Sequence, residues 1–168
     1  MLRLLMSRRA TFAVDVVAWG AIHAGTGYLA HRLPADQLAH DHGLLRLAPF
    51  EEDGRWYRRR LAVAQWKDRL PEAGDLFPGG INKRHLTSHD DPGLELFVRE
   101  TRRAELAHWW ALGGGPLLLL WNPPLASVLL VGYGVGVNLP FIVVQRHNRA
   151  RALTTLRRRR DVARRAQP

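Results

Sequence analysis

The 168-residue chain contains no cysteine, which excludes a disulfide framework, a thiolate zinc site, an iron–sulfur cluster and a cysteine nucleophile. It has no Gly-x-Ser-x-Gly elbow, no Gly-x-x-x-x-Gly-Lys phosphate loop and no internal repeat. A serine hydrolase, a nucleotide-driven machine and a solenoid therefore have no support. A further absence is more informative. Across residues 109–144 there is no Asp, Glu, Lys, Arg or His, and a bilayer core of roughly 30 Å takes about 20 apolar residues per helical span. That is room for two spans, and Asn122-Pro123-Pro124 near the middle ends a helix and turns the chain back. The competing reading, a buried soluble hairpin, sits poorly with so long an uncharged stretch.

The first arm, residues 109–121, is short for a crossing and carries Gly113-Gly114-Gly115-Pro116, so a broken, tilted or shallow helix is expected. The second arm, residues 125–144, is sturdier. Its Gly132, Gly134 and Gly136 offer a small-residue surface to another helix, while Trp109, Trp110 and Trp121 fall near headgroup level. A third apolar segment, residues 10–30, follows Arg3, Arg8 and Arg9. Asp15 and His23 interrupt it and no small-x-small cleavage site follows, so it reads as a retained anchor and not as a secretory signal. The two ionisable residues lie near one helix face, suited to polar partners in other helices or to snorkelling at the interface.

The expected fold is an all-α membrane protein, multi-pass in the cell membrane. It comprises an N-terminal anchor helix (residues 1–31), a polar interfacial region with short helices (32–106), a transmembrane helical hairpin (107–146) and an Arg-rich cytoplasmic tail (147–168).

The formal charge of +10 belongs to the ends, because residues 32–105 balance their basic and acidic side chains. Arg146 ends the hairpin, and the tail carries Arg149 and Arg151, then Arg157, Arg158, Arg159 and Arg160, then Arg164 and Arg165. Such a run meets phosphates, and here it follows a membrane span without interleaved aromatics. Anionic lipid is the expected partner, and nucleic acid is not. A cytoplasmic tail puts the central segment on the same side of the membrane. A crossing first helix then leaves its three arginines outside, against the usual bias, so crossing and lying in the interface both stay open.

Within the central segment, residues 33–60 read as loop, with Pro34, Asp41-His42-Gly43, Pro49 and Glu51-Glu52-Asp53-Gly54. Residues 61–69 read as a short amphipathic helix with Trp66 on its apolar side, closed by Leu70-Pro71. The next helix starts near Pro92-Gly93 and carries charged residues directly to the bilayer edge. His85 followed after four residues by Asp90 matches a glycerolipid-acyltransferase spacing, without its glycine-rich companion. Lys83 and Arg84 beside it suit phosphate. Glu105-x-x-His108 is half of a carboxylate-bridged metal site, but no second copy occurs and no metal is expected.

Glu100-Thr101-Arg102-Arg103-Ala104-Glu105, followed by His108-Trp109, resembles the central signature of the glycosyl-4,4'-diaponeurosporenoate acyltransferase family. Trp66-Lys67, Leu70-Pro71 and Gly74 resemble its upstream element. Asn138-Leu139-Pro140 and Gln145-Arg146-His147-Asn148-Arg149 resemble the element that closes its last helix. The resemblance covers residues 66–151. It implies transfer of a fatty acyl group, with acyl-coenzyme A as co-substrate and no other cofactor, to a primary sugar hydroxyl of a membrane-resident glycosyl carotenoid, a late step of staphyloxanthin-type pigment synthesis.

A sugar hydroxyl attacking a thioester must lose a proton, and His108 is the candidate base. Glu105 and Glu100 lie close enough in helical phase to orient or stabilise the imidazole. Arg102 and Arg103 suit coenzyme A phosphates or the thioester oxyanion. Asn138, inside the last span, needs a hydrogen-bond partner. It joins Gln145, Arg146, Asn148 and Arg149, with Trp66, Lys67 and Lys83, on the expected substrate side. The plainer alternative makes His108 and the tryptophans interfacial anchors and the arginines lipid contacts. The rival function is a non-catalytic membrane assembly protein for a lipid- or carotenoid-modifying complex. Oligomeric state is not legible.

Overall fold

The computed structural model describes residues 6–51, 53–71 and 90–167, which contain helices and turns but no strand. Three long helices dominate: α1 (Arg8–His31), α4 (Asp91–Gly114) and α5 (Pro124–Arg165). Two short ones, α2 (Arg55–Arg60) and α3 (Val63–Trp66), lie in the segment before α4. Single-turn 3-10 segments occur at Gly43–Leu45, Pro49–Glu51 and Lys67–Arg69.

The helix ends follow local chemistry. Ser7 Oγ accepts the Ala10 N–H at the start of α1. Asp90 Oδ1 accepts the Gly93 N–H at 2.9 Å to open α4, with Pro92 in the first turn, where a missing N–H costs nothing. The glycine run ends α4 at Gly114, and the chain tightens into a longer 3-10 segment, Gly115–Leu120. After the turn, α5 begins at Pro124 and does not stop where the apolar residues stop. It continues through the arginine tail for 42 residues, a length of about 63 Å. Residues 33–60, expected to be loop, contain the helix α2, whose Tyr57 is buried against Val63 and Val144.

α4 and α5 pack as an antiparallel pair, and α1 lies against α4. At the turn end, Asp15 Oδ1 of α1 accepts Trp121 Nε1–H at 2.8 Å and Asn122 Nδ2–H at 2.7 Å. This buried aspartate ties the first helix to the turn between α4 and α5, and its partners are polar groups of that turn. At the opposite end, Arg103 of α4 donates to the carbonyls of Ala30, His31 and Leu33 at 2.7–2.9 Å, a cation placed on the negative end of α1. Trp19 fills the notch between the helices. A Cβ at Gly134 would overlap its ring, and one at Gly115 would lie 3.2 Å from it. Gly132 and Gly136 meet nothing, so one glycine of the expected small-residue surface carries the close approach.

Outward, α1 and the hairpin present Phe12, Val16, Val17, Leu125, Val128 and Leu129 to the surroundings. Among the described residues one helix, α5, is long and apolar enough to cross a membrane. Beyond its uncharged part, Ala152 and Leu156 pack on Leu94 and Val98 of α4.

Candidate active site

The antiparallel pairing sets His108 of α4 opposite Asn138 of α5. Asn138 is fully buried and its Nδ2–H donates to the Gly134 carbonyl at 2.9 Å. That bond fixes which way the amide points. Its Oδ1 therefore faces His108 Nδ1 at 2.9 Å, a contact that requires the proton on Nδ1 and leaves the lone pair on Nε2. The half-buried imidazole also stacks on Phe141, centroids 4.6 Å apart and planes 15° apart. A hydrogen bond and an aromatic face both hold the ring.

Glu105, one turn before His108, spends its hydrogen bonds on other partners. The carboxylate is fully buried and accepts from Arg146 Nη1 at 2.7 Å, Arg149 Nη1 at 2.5 Å and Trp109 Nε1 at 3.1 Å. Asn138 occupies the orienting position expected for Glu105, because the carboxylate turns toward the arginines on α5.

Those arginines are in turn committed. Arg146 also donates to Glu51 through Nε at 2.8 Å and Nη2 at 2.7 Å, and to the Leu44 and Arg46 carbonyls. Arg149, fully buried, donates to Leu45 O at 2.6 Å and pairs with Asp41 at 3.3 Å. Arg102 reaches Asp41 at 2.6 Å and the Leu38 and Ala39 carbonyls. Together they fasten the segment between α1 and α2 across the polar end of the α4–α5 pair. The positions of Arg102, Arg146 and Arg149 fit buried structural cations, each matched by carboxylates and carbonyls because an unpaired buried charge costs several kcal/mol, on the order of 3–5.

The remaining candidates are spread around this cluster. Glu100 accepts from Arg103 Nε at 3.2 Å. Gln145 is buried and Asn148 half-buried about two to three turns beyond Asn138 on α5. Trp66 packs beside Tyr57, its Nε1–H on the Leu61 carbonyl at 2.8 Å, and Lys67 pairs with Asp68. Lys83 and His85 lie outside the described residues, while Asp90, the other end of the His85-to-Asp90 spacing, caps α4. Among the described residues no three His, Asp or Glu side chains gather to hold a metal ion.

Sequence reasoning missed Asp41, Glu51, Tyr57 and His147. Burial acts to raise the Glu51 carboxyl, but hydrogen bonds from Arg146, Tyr57 and the Ala48 N–H outweigh it and bring it down to about 2. Burial, with the nearby Glu51, pushes the Tyr57 hydroxyl up. His147, enclosed beneath α2 with Nδ1 3.2 Å from the Gly54 carbonyl, is lowered to about 4 by burial and then by Arg151. The signal for Asp41 and Glu51 was a balance of charge in the loop, and His147 stood in the element that closes the last helix.

The family described as Glycosyl-4,4'-diaponeurosporenoate acyltransferase matches residues 41–158. The chain belongs to the glycosyl-4,4'-diaponeurosporenoate acyltransferase family. The match begins at Asp41, so it takes in the loop carboxylates and α2, which the shorter resemblance in residues 66–151 left out. Proteins named Glycosyl-4,4'-diaponeurosporenoate acyltransferase from Staphylococcus aureus are similar along most of their length. The one from strain bovine RF122 / ET3-1 is 28% identical over 140 residues, covering 83% of this chain and 84% of the relative. Those from strains USA300 and NCTC 8325 / PS 47 are 27% identical with the same coverage. No solved structure matches the chain. Membership of the glycosyl-4,4'-diaponeurosporenoate acyltransferase family makes the chain an acyltransferase and sets aside the non-catalytic assembly reading.

Proposed function

We propose that this enzyme esterifies a sugar hydroxyl of a glycosylated carotenoid acid, or a closely related glycolipid, with a fatty acyl group taken from a thioester. The observation that carries the reading is the His108–Asn138 pair, an imidazole of fixed tautomer at the edge of a long uncharged stretch. His108 Nε2 takes the proton of the sugar hydroxyl as its oxygen attacks the thioester carbonyl. The carbon–sulfur bond breaks, the ester bond forms, and the departing thiolate takes the proton back from the imidazolium. Asn138 positions the ring. Glu105, Arg146 and Arg149 act behind it by holding the two helices in register, and Gln145 and Asn148 line the polar side where the sugar enters.

The membrane supplies the other half of the argument. Polyene and acyl chain are apolar while the sugar and the thioester carrier are polar, so the reacting atoms meet where α4 and α5 pass from uncharged to charged sequence. We read α5 as spanning the bilayer and α1 and α4 as crossing beside it, with the exposed apolar side chains of α1 and the hairpin toward lipid. The enzyme is then multi-pass, with its site at the cytoplasmic face, where coenzyme A thioesters are available.

The test is mass spectrometry of lipids from cells that make a glycosylated carotenoid acid, with and without this protein. A new fatty-acyl ester on the sugar supports the reading. An unchanged glycosyl carotenoid in cells where the protein is present in the membrane counts against it.

A further inference from the structure

The part of α5 beyond the membrane carries a feature that acyl transfer at His108 does not use. Arg151, Arg158 and Arg165 recur at seven-residue steps, which on a helix form one stripe drifting by about 20° per step. All three are exposed. The opposite side of the same helix is occupied: Ala152 and Leu156 are buried against α4, and Arg160 pairs with Glu95. At its lower end the stripe meets α2. The Arg151 side chain lies over Gly54, where a Cβ would be 2.9 Å from its Cγ, and Gly54 opens the helix bearing the exposed Arg58, Arg59 and Arg60. The basic stripe of α5 therefore meets the start of an arginine-bearing helix at its foot.

Lipid phosphates do not account for it. At 1.5 Å per residue, Arg158 stands about 21 Å and Arg165 about 32 Å beyond Val144, where the uncharged stretch ends. The headgroup layer adds only about 5–8 Å on each side of the hydrocarbon, and charges are screened over about 8 Å at physiological ionic strength. A tilt of roughly 20° shortens these heights by less than a tenth. The upper arginines face water, and a stripe about 21 Å long is the size of a protein helix, longer than the phosphates of one small thioester can cover.

We propose that this face docks an acidic carrier protein that delivers the fatty acyl group as a thioester on a long flexible arm. The proposal rests on the acyl-transfer reading above and names the donor. From Arg151 down to Asn138, which holds His108, is about 20 Å along α5, a distance an extended arm covers while its carrier stays in water. Charge complementarity along one helix face brings the carrier in with the arm toward the membrane. The reaction is the one already balanced: the sugar oxygen replaces sulfur on the acyl carbon, and the hydroxyl proton ends on the carrier's thiol.

The experiment uses the full chain in nanodiscs of zwitterionic lipid, and in parallel of anionic lipid, with the glycosyl carotenoid acid. Either acyl-[acyl carrier protein] or acyl-coenzyme A is the donor, for the wild type and for R151E/R158E/R165E. The expected result is that the carrier serves as donor and that the triple variant raises its KM roughly tenfold or more, leaving KM for acyl-coenzyme A unchanged. Circular dichroism and thermal unfolding like those of the wild type verify that the variant is folded. The proposal is overturned if only acyl-coenzyme A is used, if both donors weaken together, or if the variant loses activity only in anionic nanodiscs, which would return the stripe to lipid. If neither donor yields ester with the wild type, the acyl-transfer reading fails, and this proposal with it.

Discussion

His108 Nδ1 lies 2.9 Å from Asn138 Oδ1, and the same amide is anchored through Nδ2 to the Gly134 carbonyl. The proton on Nδ1 follows from the backbone of α5, so the imidazole on α4 has its tautomer set by the neighbouring helix. Asn138→Ala leaves the ring in place against Phe141 but frees it to turn. The expected outcome is a kcat lower by about tenfold to a hundredfold with KM little changed, a smaller loss than the roughly 10²–10⁴ from removing the base. Steady-state kinetics in nanodiscs reads the split.

Glu105 and Arg149 are a fully buried ion pair at 2.5 Å, and Arg146 shares the same carboxylate. Glu105→Gln leaves two cations short of their anion, and the expected destabilisation is about 3–5 kcal/mol. Arg149→Met in the same chain removes one stranded charge and recovers part of it. Thermal unfolding of the purified protein in detergent compares the single and double variants.

The loop joining α1 to α2 carries a pH signature. Glu51 has its folded-state value depressed to about 2, against about 4.3 in an unfolded chain. A depressed carboxylate contributes stability that is fully present above the unfolded value and lost as pH falls through the folded one. The window is therefore about pH 5 down to about pH 2. Glu51→Gln lowers stability at neutral pH and flattens the decline across that window relative to the wild type. Unfolding midpoints at successive pH values test this.

Trp19 and Gly134 form a tight contact, since any Cβ at Gly134 overlaps the indole. Gly134→Val is expected to cost about 1–3 kcal/mol through overpacking. It should also disturb the carbonyl that holds Asn138. Adding Trp19→Ala opens space for the new side chain, so the two effects are not additive. Activity and unfolding temperature of the single and double variants measure the coupling.

The long helices were legible because their signals are local. An uncharged run, the start signal at Pro92-Gly93, and Asn122-Pro123-Pro124 each act within a few residues. α2 was not, since Arg55–Arg60 has too few turns for a hydrophobic period and is held by Tyr57 packing on Val63 and Val144. The arginine tail read as separate from the last span because its composition changes at Gln145, while the helix continues by packing Leu156 on α4. The pairing around His108 was not legible. Spacing along α4 pointed to Glu105 as the partner of His108, whereas the partner is Asn138, thirty residues away. Arg146 finds Glu51 across 95 residues, a distance at which no sequence pattern names the partner.

The most direct test of the account is His108→Ala, expressed in cells that make a glycosylated carotenoid acid, with sugar-linked fatty-acyl ester quantified by mass spectrometry. Immunoblotting of the membrane fraction checks that the variant accumulates to the wild-type level. The account predicts that the ester falls to the level of cells lacking the protein, while the glycosyl carotenoid itself accumulates. Ester at the wild-type level in the variant would contradict it and remove His108 as the base.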